Sequence, residues 1–384
     1  MTAIPNLRYV FDGSNFIAPG RPFLPGPAVV PVTGTNRDAL ILGSYIPGMT
    51  VDTVGLSDPN ATWTDVFGDS TGYIYIDSVA TAGDTVTNPI RDTRYWGKVK
   101  VRTTADAYFA NCQFYNRLPE DMYAASVGSN GGCIENFGAA PPLVHLTDCL
   151  LDPKAWFDAG ISAYWGHPVQ VGIHGGNFIA KRTEFRNCQD GINYVGPNTD
   201  VSADAAQCLV QACWIHKNFY LKPWTGPGSP ASQDTHSDAF QFNTGKNITI
   251  EYNLLGGQFD PVGYNASPAY NSGDDCHNSG IMIQQEVSLA NSNLVSNVLI
   301  QNNWLAGGAA TVNANLKNGN TGADWVCQNN KIARRGTTEW AGPGYSIYRN
   351  GGLAMSFTGN VIWDWNGAID GTGVPAPIVN YPGT

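Results

Sequence analysis

Eight short segments of the chain share one hydrophobic–polar pattern: apolar, x, x, Asn/Cys/Thr, x, apolar. They read FANCQF, LTDCLL, AKRTEF, VQACWI, IEYNLL, IQNNWL, CQNNKI and FTGNVI. The fourth position is Cys112, Cys149, Thr183, Cys213, Asn253, Asn303, Asn330 and Asn360. Three residues earlier stand Phe109, Leu146, Ala180, Val210, Ile250, Ile300, Cys327 and Phe357, all small or apolar. Two residues later stand Phe114, Leu151, Phe185, Ile215, Leu255, Leu305, Ile332 and Ile362. The position two before the fourth is mostly polar, as in Gln211, Glu251, Gln301 and Gln328. Alternation of this kind predicts strands with one face inward, and the shared Asn/Cys/Thr marks a turn repeated once per coil.

Coils stacked at the inter-strand spacing of about 4.8 Å set equivalent side chains directly above one another. A file of inward Asn can then bond the next Asn and the turn backbone, which satisfies buried carbonyls and N–H groups. Cys and Thr are small substitutes with weaker hydrogen bonding. The predicted fold class is therefore all-β, a parallel β-helix or solenoid. Successive repeats are 27 to 50 residues apart. A three-strand coil needs roughly 20–30 residues, so the surplus is expected in loops thrown outward. The segments 116–142, 218–235 and 256–279 are predicted to be such loops, where binding and catalysis tend to sit.

Residues 1–95 read as an N-terminal cap or attachment segment leading into the first strands, GYIYIDSV and GKVKVRTT. Residues 96–365 read as the coil body, and the Pro/Gly-rich tail 366–384 is expected to fold back over the other end. Only 14% of residues are charged and the net charge is −10, which excludes nucleic acid as a partner. No apolar run is long enough to span a membrane. The start, MTAIPNLRYVFDGSNF, lacks the form of a secretory signal, so assembly in a host cytoplasm is expected. The eight cysteines form no metal-like pairs and are read as buried thiols. Adjacent coils would also bring Cys112 and Cys149 within bridging range.

The succession DGINY, CWIHKNF, HSDAFQF, NITIEYNLLGG, SGIMIQQ, VLIQNNWLAGG, CQNNKIARR and TGNVIWD resembles the pectate-lyase-like right-handed β-helix proteins of actinobacteria and their phages. The phage members are minor tail proteins. The family's Trp-Ile-His, loop, His-x-Asp-Gly-Ile-Gln run is matched by Trp214-Ile215-His216 and His236-Ser237-Asp238-Ala239-Phe240-Gln241, with Ala239 where Gly is usual. The resemblance covers roughly residues 96–365. It implies a right-handed β-helix and a virion tail protein, minor tail or tailspike-like. The implied partners are host cell-surface polysaccharide and other tail proteins, with a homo-oligomer, a trimer by analogy, as the assembly.

Candidate chemistry clusters around one loop. His216, Asp234, His236 and Asp238 could supply acid–base groups for glycan cleavage, and two carboxylates would be needed for hydrolysis. A hydrogen-bond network closing the 218–235 loop is the competing reading. Lys222, Tyr220, Trp224, Phe259, Tyr264, Tyr270 and Gln241 are candidate sugar contacts through stacking and hydrogen bonding. Gly273-Asp274-Asp275-Cys276 resembles a polygalacturonase motif, but the rest of that signature is missing. Asp274 and Asp275 then read as a turn or a weak cation site, with Ca²⁺ conceivable and no cofactor required. Arg182, Glu184 and Asp190 could be recruited for lyase chemistry, though nothing else marks them. The outward stripe Trp214, Leu254 and Trp304 is expected to be covered by protein rather than to stack sugars. Three functions stay open: glycan recognition on a phage tail, a polysaccharide lyase or glycoside hydrolase on the same fold, and an architectural virion protein.

Overall fold

The computed structural model describes residues 54–69, 71–78, 87–115, 130–136, 141–153, 169–186, 188, 190–194, 207–216, 238–242, 246–255, 279–285, 295–306, 310–316, 325–333, 347–349, 355–363, 374–375 and 378–380, with a short antiparallel pair at 10–11 and 16–17. Among these residues there is no helix, and the strands form three sheets that run the length of a parallel β-helix. Each coil passes through sheet 1, then sheet 2, then sheet 3, and a tight corner returns it to sheet 1. Sheet 1 begins with Thr64–Phe67 and continues through Glu184–Arg186 and Trp214–His216 to Val361–Trp363. Sheet 2 runs from Tyr73–Ile76 through Asp190–Tyr194 and Asp238–Phe242 to Ile378–Asn380. Sheet 3 runs from Ile90–Arg91 through Cys208–Gln211 to Met355–Thr358. Pairing is parallel throughout except at the tail, where Val374–Pro375 lies antiparallel on Val361–Trp363. GYIYIDSV and GKVKVRTT supply the first two strands of sheet 2.

The inward columns are where the pattern puts them. Phe109, Leu146, Ala180, Val210, Ile250, Ile300 and Cys327 are buried in sheet 3, and Phe114, Leu151, Phe185, Ile215, Leu255, Leu305 and Ile332 face them from sheet 1. Sheet 2 closes the core with Ile134, Ile173, Ile192, Phe240, Ile281 and Val312. The corner file is buried from end to end. Asn303 Oδ1 accepts from the N–H of Asn253 at 3.0 Å and from its Nδ2 at 3.0 Å. Asn303 Nδ2 donates to the Ile250 carbonyl at 2.8 Å. Asn330 and Asn360 repeat the arrangement one and two coils on. The thiols of Cys149 and Cys213 reach the equivalent carbonyls, Phe109 at 3.8 Å and Ala180 at 3.5 Å, which is a weaker version of the same bond. All seven described cysteines are buried and unbridged.

The residue before each corner takes a left-handed backbone, from Asp92 and Asn111 through Asp148, Arg182, Ala212, Tyr252, Asn302 and Asn329 to Gly359. Asn and Asp tolerate this conformation better than other side chains, because they hydrogen-bond locally. Arg182 lacks that help and is instead clamped by Asp148 through two bonds of 2.5 and 3.0 Å.

One expectation is corrected. The stretch 116–142 is not one loop, because Asn130–Asn136 is an interior strand of sheet 2 paired on both sides. Gly132 is needed for room in this strand: a Cβ there would lie 2.6 Å from the Ile134 carbonyl oxygen and 2.9 Å from the His174 nitrogen.

Replacing Asn303 by Ala strands the Asn253 N–H, its amide and the Ile250 carbonyl inside the core. At about 1–3 kcal/mol for each unsatisfied group, the loss should be about 4 kcal/mol or more. Cys149→Ala removes one thiol and should cost about 1–2 kcal/mol. Urea denaturation of the two variants checks the order, and equal losses would show that the amide file does not carry the corner.

Candidate functional site

The connections between sheets are unequal. From Ala110 onward the corner from sheet 3 to sheet 1 is always two residues, as at Asn111-Cys112 and Asn302-Asn303. Connections into sheet 2 include 217–237 and 256–278, and those out of it include 195–207 and 286–295. The longest connections therefore enter or leave sheet 2, and we call the outward face of its described strands the floor. One side chain per coil lines that floor: Tyr75, Lys100, Glu135, His174, Asn193, Gln241, Met282 and Asn313. Glu135 and Met282 are buried, Tyr75 is exposed, and the others are partly covered.

Asn193 and Gln241 are joined along this file. Asn193 Nδ2 donates to Gln241 Oε1 at 2.8 Å and to Asp190 Oδ2 at 3.1 Å, and Gln241 Nε2 points at Met282 Sδ at 3.8 Å. The Asn193 Oδ1 atom is buried without a hydrogen-bond partner. At the first coils the floor is charged. Burial raises the Glu135 carboxyl above its ordinary value, against the pull of Lys98 and Lys100. Burial likewise lowers Lys98, and burial with the nearby Lys98 charge lowers His174 to about 4. Tyr73 and Tyr75 stack at 5.8 Å, with the Arg102 guanidinium 3.7 Å from the Tyr75 ring centre and bonded twice to Asp77.

Two carboxyls stand at the start of neighbouring strands beside this floor. Asp190 Oδ1 accepts the Asp238 N–H at 2.9 Å, and Asp238 Oδ1 accepts the Ser279 N–H at 2.7 Å. Both residues are buried. Burial lifts Asp190 to about 7, although the Asp238 N–H and Asn193 pull the other way. The sequence shows this site as an Asp-x-x-amide repeat, Asp190-Gly191-Ile192-Asn193 and Asp238-Ala239-Phe240-Gln241, on adjacent coils.

His216 lies on the outer face of sheet 1, across the 217–237 connection from Asp238 in the chain. Its Nε2 is 2.8 Å from Glu184 Oε1, and its ring stacks on Trp214 at 3.6 Å. Arg186 bonds Glu184 at 3.2 Å and Asp152 at 2.7 Å. Burial alone would raise Glu184, but His216 and then Arg186 hold it below the ordinary carboxyl value. His216 and Asp238 thus belong to two hydrogen-bonded groups, His216–Glu184–Arg186–Asp152 and Asp190–Asp238–Ser279, and Gln241 to the floor. Glu184 and Asp190, which sequence alone left unmarked, are central to those groups. Asp234, His236, Tyr220, Lys222, Trp224, Phe259, Tyr264, Tyr270, Asp274 and Asp275 lie outside the described residues. Of the outward stripe, Leu254 and Trp304 are 1% exposed, so protein covers them. Among the described residues no three His, Cys, Asp or Glu side chains gather as a metal site.

No protein-family model, curated protein or solved structure matches the chain.

The two shifted carboxyls act on stability with opposite signs. Asp190 is raised in the fold, so between about pH 4 and about 7 the native state holds the extra proton and stability falls as pH rises. Glu184 is lowered, so its contribution is present above its unfolded value and is lost as pH falls through its native one. Thermal melts from pH 3 to 9 should show Asp190→Asn flattening the upper slope and Glu184→Gln the acid limb. Unchanged profiles would contradict these assignments.

Proposed function

We propose that the chain is a phage tail protein, minor tail or tailspike-like, that recognises host cell-surface glycan along the outward face of sheet 2. The observation that carries this reading is the unbroken file of side chains there, one per coil in register along sheet 2. A glycan is a linear array of hydroxyls. A rigid array of amide, imidazole and carboxyl groups repeating at about 4.8 Å can bond it at several points in succession. Aromatic rings such as Tyr75 add stacking at one end. The virion assignment rests on the sequence resemblance, as does a trimeric assembly with other tail proteins as neighbours.

A second reading has its own observation. The Glu184–His216 pair, 2.8 Å apart beside the 217–237 connection, is an acid–base couple of the kind that glycan lysis or hydrolysis employs. In that case the glycan would be cut at the outer face of sheet 1, where this pair stands, rather than on sheet 2.

Purified protein should be retained on host envelope polysaccharide in surface plasmon resonance. Gln241→Ala should weaken binding by about tenfold, the worth of one or two hydrogen bonds, without lowering the melting temperature. Release of reducing ends or unsaturated product that disappears in His216→Ala would favour the enzyme reading. Absence of both binding and cleavage on every host glycan would leave the architectural role.

A further inference from the structure

The hydrogen bonds on the floor of sheet 2 run back to a buried carboxyl, Asp190. Asn193 Nδ2 sits between two acceptors, Asp190 Oδ2 and Gln241 Oε1, and gives a proton to each. Its own Oδ1 is buried and accepts no hydrogen bond from the described residues. Gln241, held as acceptor by Asn193, turns its Nε2 toward the Met282 thioether, a weak partner. The chain of bonds therefore has one direction, and the anionic Asp190 sets it.

A proton on Asp190 removes the reason for that direction. A protonated Oδ2 is a donor, and the amide nitrogen facing it has no lone pair to offer. Rotating the Asn193 amide by half a turn brings Oδ1 into the central position, where it can accept the Asp190 O–H. The same oxygen then needs a donor from Gln241, which supplies its Nε2 by rotating in turn. The proton comes from solvent and no covalent bond changes; the Asp190–Asn193 and Asn193–Gln241 bonds reverse direction, and the weak Gln241–Met282 contact is given up, since a thioether cannot donate. Amide rotation keeps the shape of both side chains, so the core beneath is undisturbed.

From this we propose that Asp190 is a proton-binding switch that reverses the donor–acceptor polarity of Asn193 and Gln241 on the recognition face, and so changes its affinity for glycan across neutral pH. The inference rests on the glycan-recognition reading of that face. Among the described residues, the groups facing Asp190 are few. Asp238 meets it from the neighbouring coil and donates its backbone N–H to Asp190 Oδ1, which favours the ionised carboxyl. The coil below presents Val171. Its own corner supplies the Cys188 thiol, itself pushed well up by burial, with Arg186 beyond. Burial of Asp190 brings its proton equilibrium to about 7, within the range where a switch can operate.

The experiment follows the side-chain amide resonances of Asn193 and Gln241 by NMR in the full chain from pH 5.5 to 8.5. Each is assigned by its loss in Asn193→Ser and Gln241→Ser, and glycan affinity is measured over the same range. Both amides should shift together with one midpoint near 7 in the wild type, and stay fixed in Asp190→Asn. Asp190→Ser serves as a second non-titrating variant if Asp190→Asn folds poorly. Affinity should change at least fivefold across the midpoint in the wild type alone. Amides that ignore pH, or that titrate equally in the Asp190 variants, overturn the switch. Amides that reverse while affinity stays flat overturn its link to recognition. Amides that reverse in a protein that binds no glycan at any pH leave the switch standing and sink the glycan reading instead.

Discussion

Everything in this molecule hangs on the tight corner between sheets 3 and 1. There a side chain must point inward, small enough to stack on its copy below and polar enough to hold a carbonyl that water cannot reach. Asn meets the requirement best, since one amide accepts the N–H of the corner residue beneath it and donates to the carbonyl three residues before that residue, in the preceding coil. Buried polar groups left unmade cost more than made ones gain, so the corner tolerates few substitutes. In the first half of the helix Cys and Thr stand there, and the bonds are longer and fewer. The two halves of the solenoid are thus held by corners of different quality.

Because that corner is invariant, variation is displaced elsewhere. Each coil must close, and the only places that can lengthen are the two junctions flanking sheet 2. Length differences of many residues accumulate there while register in all three sheets is kept. A regular parallel stack joined by connections of unequal length separates a constant scaffold from variable chain. The hydrogen-bonded pair Asn193–Gln241, and the carboxyls behind it, belong to the scaffold half of that division.

The columns at the corner and on either side of it were legible in sequence because three constraints, inward, outward and turn, recur together in every repeat. The floor of sheet 2 was not, since insertions of unequal length precede each of its strands and destroy any fixed spacing from the corner. Gln241 was singled out by resemblance, whereas Asn193, its bonded neighbour, was not. Asn130–Asn136 was mistaken for loop because glycine serves close backbone approach there rather than a turn. The left-handed residues before the corner also escaped notice. Asn and Asp announce that conformation, but Arg182, Ala212 and Tyr252 hide it. His216 was visible, while its partner Glu184 is a full coil away in the chain and only the register joins them.

Residues 54–58 do not belong to any coil. Gly55 donates its N–H to the Arg182 carbonyl, and Asp58 exchanges two bonds with Asn111, so this short strap lies lengthwise over several turns before the chain enters the solenoid at Thr64. A solenoid otherwise assembles by adding each repeat to the last, with no knowledge of anything farther off. The strap emerges from the ribosome long before its docking place exists. Its Asp58 end can dock once Asn111 is in place, but its Gly55 end must wait until the strands around Arg182 have formed. The early repeats are consequently latched from outside only after the fourth is complete, which gives a nascent solenoid a definite moment at which its beginning becomes locked.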